Sequence, residues 1–268
     1  MRVISMKNSN VPEGAQAVER ALSILEYVAS RPTPVKLGEI AESMKLHRNT
    51  AYRLARTLVA KDYLDMEDGA YTLGPMAIVL GQSQSRDNVL LRKCEPYLQQ
   101  LCDTTREVTN LGILRADEVF YLGRWEDKDY RAGVFVRSGQ RAPLYASALG
   151  KIFLAAMTQE ERNGYYARCP WTVYTAHTII HKEGLDEAVQ RAQILGYAED
   201  EEELSFGVRC VAVPILVNER VIAAVSIAIP TIRFTPENQS KYVALLRETT
   251  ARLSKELSGH QSMNQLLT

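Results

Sequence analysis

Residues 37–58 read LGEIAESMKLHRNTAYRLARTL. Leu37, Ile40, Ala41 and Met44 recur at helical spacing and mark one buried face. Leu46 closes a tight corner, where it packs between two helices. Asn49 is placed to cap the second helix, because its side-chain oxygen can accept a bond from a first-turn N–H. Ala51, Leu54, Ala55 and Leu58 give that helix its inward face, leaving Arg48, Tyr52, Arg53 and Arg56 outward. Between Lys45 and Lys61 the basic residues are Lys45, Arg48, Arg53, Arg56 and Lys61, with no Asp or Glu. Such a stretch attracts phosphates and gains from counterion release. The second helix adds free first-turn N–H groups as a phosphate site, with the Thr50 hydroxyl beside them. The pattern is a helix-turn-helix, and double-stranded DNA is the partner it implies. A helix pair with a merely solvated basic face would share the periodicity.

The flanking sequence favours the first reading. Tyr63, Leu64, Asp65 and Met66 lead into Glu67, Asp68 and Gly69, and Ala70, Tyr71, Thr72 and Leu73 follow. Asp-Gly between two such runs predicts a hairpin, because Gly tolerates positive φ. A helix-turn-helix followed by a hairpin is a winged helix. Upstream, residues 17–28 form a third amphipathic pattern with Val18, Ala21, Leu22, Leu25 and Val28 as its stripe. Pro32 and Pro34 end it. The expected DNA-binding domain is residues 14–74, with a disordered tail over 1–13.

The chain has 268 residues, enough for two domains of ordinary size. Formal net charge is zero, so positive charge is local and a histone-like polycation is excluded. No run approaches the roughly 18 apolar residues of a membrane span, and the N-terminus lacks the apolar core of a signal peptide. Cys94, Cys102, Cys169 and Cys210 show neither CxxC spacing nor a paired His cluster. The expectation is reduced thiols, a cytoplasmic protein and no metal site. His177 and His181 stand four apart, but no HExxH accompanies them and the β-branched residues between them disfavour helix. No GxSxG, P-loop or GxGxxG occurs, so neither an enzyme nor a bound cofactor is expected.

Gly74-Pro75 punctuates the chain, and helical patterns at 76–80 and 89–101, interrupted at 83–88, predict a linker over 75–100. The linker could carry a switch or only space two domains. Beyond it, strands are expected at 108–114 and 119–124 around a turn at Ala116-Asp117, then at 133–137 and 144–146. Helices are expected at 148–156, 159–167 and 185–195, the last ending at Gly196. Residues 210–217 and 221–229 form a hairpin of buried strands. Thr235-Pro236 opens a closing helix over 237–257. Helices flanking a mainly antiparallel sheet give an α+β sensor domain over 101–259, followed by a tail at 260–268.

The blocks AVERALSIL at 17–25, the helix-turn-helix, RAPLYASALGK at 141–151, GYAEDEEELSFGVRCVAVPI at 196–215 and AAVSIAIPTIR at 223–233 together resemble the IclR family of bacterial transcriptional regulators. The resemblance spans roughly residues 14–259. It implies a winged-helix reader joined to a GAF-like effector domain, in homodimers or dimers of dimers. It also implies that Ala148 and Leu149 touch an acid effector, with Asp200, Val208, Cys210, Ser226 and Ala228 around it. The chain departs from the family pattern with Asn49-Thr50 where Ser-Thr is common, and with Ala228 where some members carry a second serine.

The residues give independent support at one point. Ser147, Ala148, Leu149 and Gly150 open a helix, and free N–H groups at a helix start hold carboxylates well. Asp200 and Ser226 suit ligand hydroxyls. Read alone, Cys210 is a small buried residue and Asp200 the start of a solvated acidic run. The closing stretch looks most like regulators of the 2-keto-3-deoxygluconate type, with aromatic-acid regulators as the alternative. A sensor or scaffold whose winged helix binds protein is the other class left open.

Overall fold

The computed structural model describes residues 15–82, 85–127 and 137–259. The expected tails at 1–13 and 260–268 lie outside the described residues, as does nearly all of the strand expected at 133–137. Among the described residues no helix is long and apolar enough to cross a membrane. The chain divides into two units, Met1–Asn88 and Val89–Thr268. The division falls inside the stretch read as a linker.

The first unit begins with α1 (Gln16–Ala29), β1 (Val35–Lys36), α2 (Leu37–Ser43) and α3 (Arg48–Val59). The hairpin β2 (Leu64–Glu67) and β3 (Ala70–Leu73) and the short helix α4 (Pro75–Gly81) follow. Asp68 and Gly69 turn the hairpin with φ of 50° and 74°, the left-handed conformations a two-residue turn requires. β1 adds a third strand against β3, pairing Val35 with Tyr71; two residues are too short to show a period. Ile24, Val28, Val35, Ile40, Ala51, Ala55, Leu58, Leu64 and Tyr71 form the core.

Two local expectations need correction. The stripe of α1 is centred on Ile24 and Val28, flanked by Ala21 and Leu25, whereas Val18 and Leu22 are 61% and 54% exposed. They lie past the edge of the face that packs on α2, α3 and β3. The cap of α3 is His47, not Asn49: His47 Nδ1 accepts from the Asn49 N–H at 3.4 Å. Asn49 itself sits in the first helical turn.

The second unit is built on α5 (Arg86–Thr105), whose Leu90, Cys94, Leu98 and Leu101 enter its core. The strands β4 (Val108–Arg115), β5 (Glu118–Trp125) and β6 (Arg141–Pro143) follow, then α6 (Ala148–Ala156), α7 (Gln159–Arg168) and α8 (Lys182–Leu195). β7 (Ala198–Glu201), β8 (Val208–Val217), β9 (Arg220–Pro230) and α9 (Pro236–Ser258) complete it. The described strands make a six-stranded sheet in the order β6-β5-β4-β9-β8-β7, with every neighbouring pair antiparallel. Side chains alternate across it. Val211, Val213, Ile215, Val225, Ile227 and Ile229 face α5 and α9. Ala212, Ala224, Val119 and Tyr121 face α6, α7 and α8. The expected strand at 144–146 lies three residues earlier, as β6; Leu144, Tyr145 and Ala146 are instead a fully buried turn into α6. β7 was not expected, because AEDE reads as surface until β8 pairs with it.

The seat of α6 depends on Gly150. A Cβ there would stand 2.3 Å from the Leu144 Cα and carbonyl oxygen, which are backbone and cannot swing away. Gly150→Ala should therefore cost roughly 3 kcal/mol by overpacking. Gly164→Ala, in α7 with only the end of the Arg168 side chain within reach, should be neutral or stabilising because Gly is a poor helix residue. Urea unfolding of both variants checks the contrast; equal stability would remove Gly150 from this role.

Candidate functional site

In the first unit, α3 carries the expected basic face. Arg48, Asn49, Tyr52, Arg53 and Arg56 are exposed, and among the described residues Arg48, Arg53 and Arg56 form no ion pair. The Arg56 guanidinium stacks over the Tyr52 ring at 5.9 Å, which orders it without neutralising it. Thr50 does not join this face. It is half-buried and lines a groove with Gln16, Ala17, Arg20 and Leu54. The Asn49 N–H goes to His47 Nδ1 and the Thr50 N–H to the His47 carbonyl oxygen. Less of the helix start is therefore open to phosphate than the sequence predicts. What this face offers a partner is mainly side chains.

In the second unit, Ala148, Leu149, Asp200, Val208, Cys210, Ser226 and Ala228 all line one cavity. Register explains the grouping. Val108 pairs with Ala228, Ala228 with Cys210, and Cys210 with Asp200, forming one rung across four strands. Arg124, Asn110 and Ser226 form the next rung. These two rungs are the floor. The start of α6 and residues Leu204 and Ser205 close over it. Sequence reasoning missed Val108, Asn110, Tyr121, Arg124, Ser147, Leu204 and Ser205 as lining residues. A polar Asn in the middle of a strand was the one available signal, since Asn is a poor strand residue.

The start of α6 is prepared for an anion. Ser147 caps it, its Oγ accepting from the Gly150 N–H at 3.1 Å and donating to the Pro143 carbonyl oxygen at 3.0 Å. The Lys151 N–H already reaches the Ser147 carbonyl oxygen. The N–H groups of Ala148 and Leu149 have no protein acceptor among the described residues, and both residues line the cavity. Two oriented N–H groups at the positive end of a helix suit a carboxylate.

Asp200 is a buried member of the site rather than part of a solvated run. Its Oδ1 accepts from the Glu203 N–H at 2.7 Å. Burial and the Glu203 carboxylate push its carboxyl up to about 7, against the opposing pull of Lys151. Near neutral pH it can donate to a ligand or accept from one. Lys151 and Glu203 are themselves a buried ion pair, and Lys151 Nζ also donates to the Glu199 carbonyl oxygen at 2.7 Å. The Cys210 thiol is held well above its ordinary range by burial and by Asp200, which keeps it in its neutral form. His181, the other residue with chemical potential in the sequence, caps α8 by accepting from the Gly184 N–H at 3.1 Å.

Comparison with known proteins finds a match for each part of the chain. Residues 17–67 match the IclR helix-turn-helix domain and residues 84–255 the bacterial transcriptional regulator IclR C-terminal domain. The chain is 34% identical to the HTH-type transcriptional regulator XynR of Escherichia coli (strain K12), over 90% of this chain and 97% of that protein. It is 30% identical to the HTH-type transcriptional regulator KdgR of Dickeya chrysanthemi, over 93% of this chain and 82% of that protein. Among solved structures, an IclR homolog from Microbacterium hydrocarbonoxydans, complexed with 4-hydroxybenzoate, superposes with a TM-score of 0.74. It shares 25% identity over 91% of this chain and all of that one.

The raised Asp200 carboxyl makes stability depend on pH. The folded chain keeps a proton that the unfolded chain releases near 3.8. Stability from this group is full below that value and is lost as pH rises towards about 7. Asp200→Asn should flatten the fall in unfolding free energy across that window. Denaturant unfolding at a series of pH values measures it, and an unchanged slope would contradict the assignment.

Proposed function

Because the chain belongs to the IclR family of bacterial transcriptional regulators, and is a DNA-binding regulator rather than an enzyme, we propose that it represses a carbohydrate-acid catabolic operon and is released by a small carboxylate. The observation that carries the proposal is the pair of unused N–H groups on Ala148 and Leu149, opening onto a cavity with polar groups at its floor. The effector carboxylate lies against those N–H groups. Its hydroxyl or keto oxygens face Asp200, Cys210 and Ser226, with Val208 and Ala228 against its carbon chain. The polar groups among the lining residues, Asn110, Arg124, Asp200 and Ser226, favour a sugar-acid breakdown product. The second reading is an aromatic acid, favoured by the relative bound to 4-hydroxybenzoate. A homodimer or dimer of dimers acts in the cytoplasm on a two-fold operator, since one recognition helix reads too few base pairs for genomic specificity.

The cavity also supplies the switch. It holds about 30 Å³, room for about two water molecules. A five- or six-carbon acid enters only as α6 and the 204–208 segment move apart, so occupancy favours one conformation over the other. A ligand shifts DNA affinity only by its differential affinity for the two states. Coupling of about 1–3 kcal/mol gives a roughly 5- to 150-fold change.

Arg48, Asn49, Tyr52, Arg53 and Arg56 are the proposed DNA contacts, with Thr50 supporting the helix from the side. Arg53→Ala should weaken operator binding by about 1–3 kcal/mol and relax specificity at one position if the side chain reads a base. If it meets only phosphate, binding should fall evenly across sequences and the salt slope should shrink by about one unit. Gel shifts at several salt concentrations decide between the two. Unchanged affinity and slope in both Arg53→Ala and Arg56→Ala would remove this face of α3 from DNA reading.

Ala148→Val, two methyl groups larger, should take up free space in the cavity without forcing α6 and the 204–208 segment apart, giving a folded regulator that binds operator normally and binds effector weakly. Thermal shift with a panel of small acids, followed by calorimetry and operator binding with the best of them, tests this. Native effector affinity in the folded variant would place the site elsewhere.

A further inference from the structure

One rung of the sheet is polar on a face that is otherwise largely apolar. Arg124 on β5, Asn110 on β4 and Ser226 on β9 stand opposite one another in register, and all three line the cavity. Asn110 is 4% exposed. Its Nδ2 donates to Ser226 Oγ at 3.4 Å. Its Oδ1 is buried and, among the described residues, meets no donor. The neighbouring donor does not serve it: Nε and Nη2 of Arg124 go to Glu126 Oε2 at 3.3 Å and 2.9 Å. Buried amide oxygens are nearly always bonded, and leaving one without a partner is destabilising. Asn is also among the residues least suited to a strand, so the fold gains little from it there.

We infer that Asn110 is a specificity residue of this cavity: its Oδ1 accepts a hydrogen bond from an effector hydroxyl, so the chain selects hydroxylated acids over equal-length carboxylates that lack one. The inference rests on the reading of the cavity as the effector site, with the carboxylate at Ala148 and Leu149. The hydroxyl end of the molecule then lies over the Arg124–Asn110–Ser226 rung. An acid without a hydroxyl at that position would leave the oxygen unpaired and displace any water serving it. A site built around such a bond rejects the analogue that lacks it more strongly than an apolar site rejects a change of size.

Calorimetry on the full chain tests this with acids matched for length and shape. D-Gluconate, D-galacturonate, D-arabinonate and 4-hydroxybenzoate supply hydroxyls; hexanoate, pentanoate and benzoate do not. Wild type should favour at least one hydroxylated acid over its plain counterpart by on the order of 10-fold or more. Asn110→Leu should remove most of that preference, weakening the hydroxylated acid and leaving the plain acid bound as tightly as in wild type or more tightly, since the plain acid no longer strands a buried oxygen. Asn110→Ala repeats the measurement with a smaller side chain, and circular dichroism establishes that each variant is folded. The inference is overturned if a folded variant keeps the wild-type ratio, or loses both members of a pair equally. It is also overturned if wild type binds both members alike. If wild type binds none of these acids, the reading of the cavity is itself wrong, a result visible before any variant is made.

Discussion

The buried contact between Lys151 and Glu203 holds the second unit's cavity together. Lys151 lies one turn into α6, and Glu203 lies in the segment between β7 and β8. Lys151 also reaches the Glu199 carbonyl on β7. The same Glu203 donates its N–H to Asp200, and its carbonyl accepts from the Thr178 hydroxyl at 2.7 Å. A helix, an edge strand and two connecting segments are thus tied at one place. Removing either charge would strand the other in the interior, which typically costs 3–5 kcal/mol. The start of α6 can present unused N–H groups to a ligand only because the helix is anchored from its next turn. Gly150 sets how closely the helix approaches the turn at Leu144, and Lys151 sets where it sits along the sheet.

How much of this is visible in the sequence depends on whether the determinants are local. α3 and α9 were legible because their apolar period runs for several turns. The β2–β3 and β8–β9 hairpins were legible because their turns demand particular residues. β7 was not, since AEDE becomes a strand only when β8 lies beside it. β1 is too short to carry a pattern. The cap of α3 went to His47 rather than Asn49 because a side chain just before the helix reaches the same N–H. On α1, Val18 and Leu22 look as apolar as Ile24 and Val28, and only the docking direction of the helix separates them.

The same distinction governs the site. Resemblance to a family gathered seven residues from three distant segments, and the strand register gives the physical reason they meet. It could not supply Asn110 or Arg124, which reach the cavity by standing opposite Ser226 in neighbouring strands. The basic face of α3 could be read directly, because an acid-free run with helical spacing is a local property. Thr50, expected beside the first-turn N–H groups, is instead half-buried in the groove beside α1, a placement that only the docking of that helix decides.

The alternation of the sheet has an evolutionary consequence. Residues at one parity along β4, β8 and β9 line the cavity, and those at the other parity build the layer under α5 and α9. A substitution at Asn110, Cys210, Ser226 or Ala228 changes the lining of the cavity without disturbing Leu111, Val211, Val225 or Ile227, one residue away in sequence. Cavity lining and folding are therefore written on interleaved but separate positions, and duplicated copies of such a chain could acquire new cavity surfaces by single substitutions while inheriting the scaffold intact.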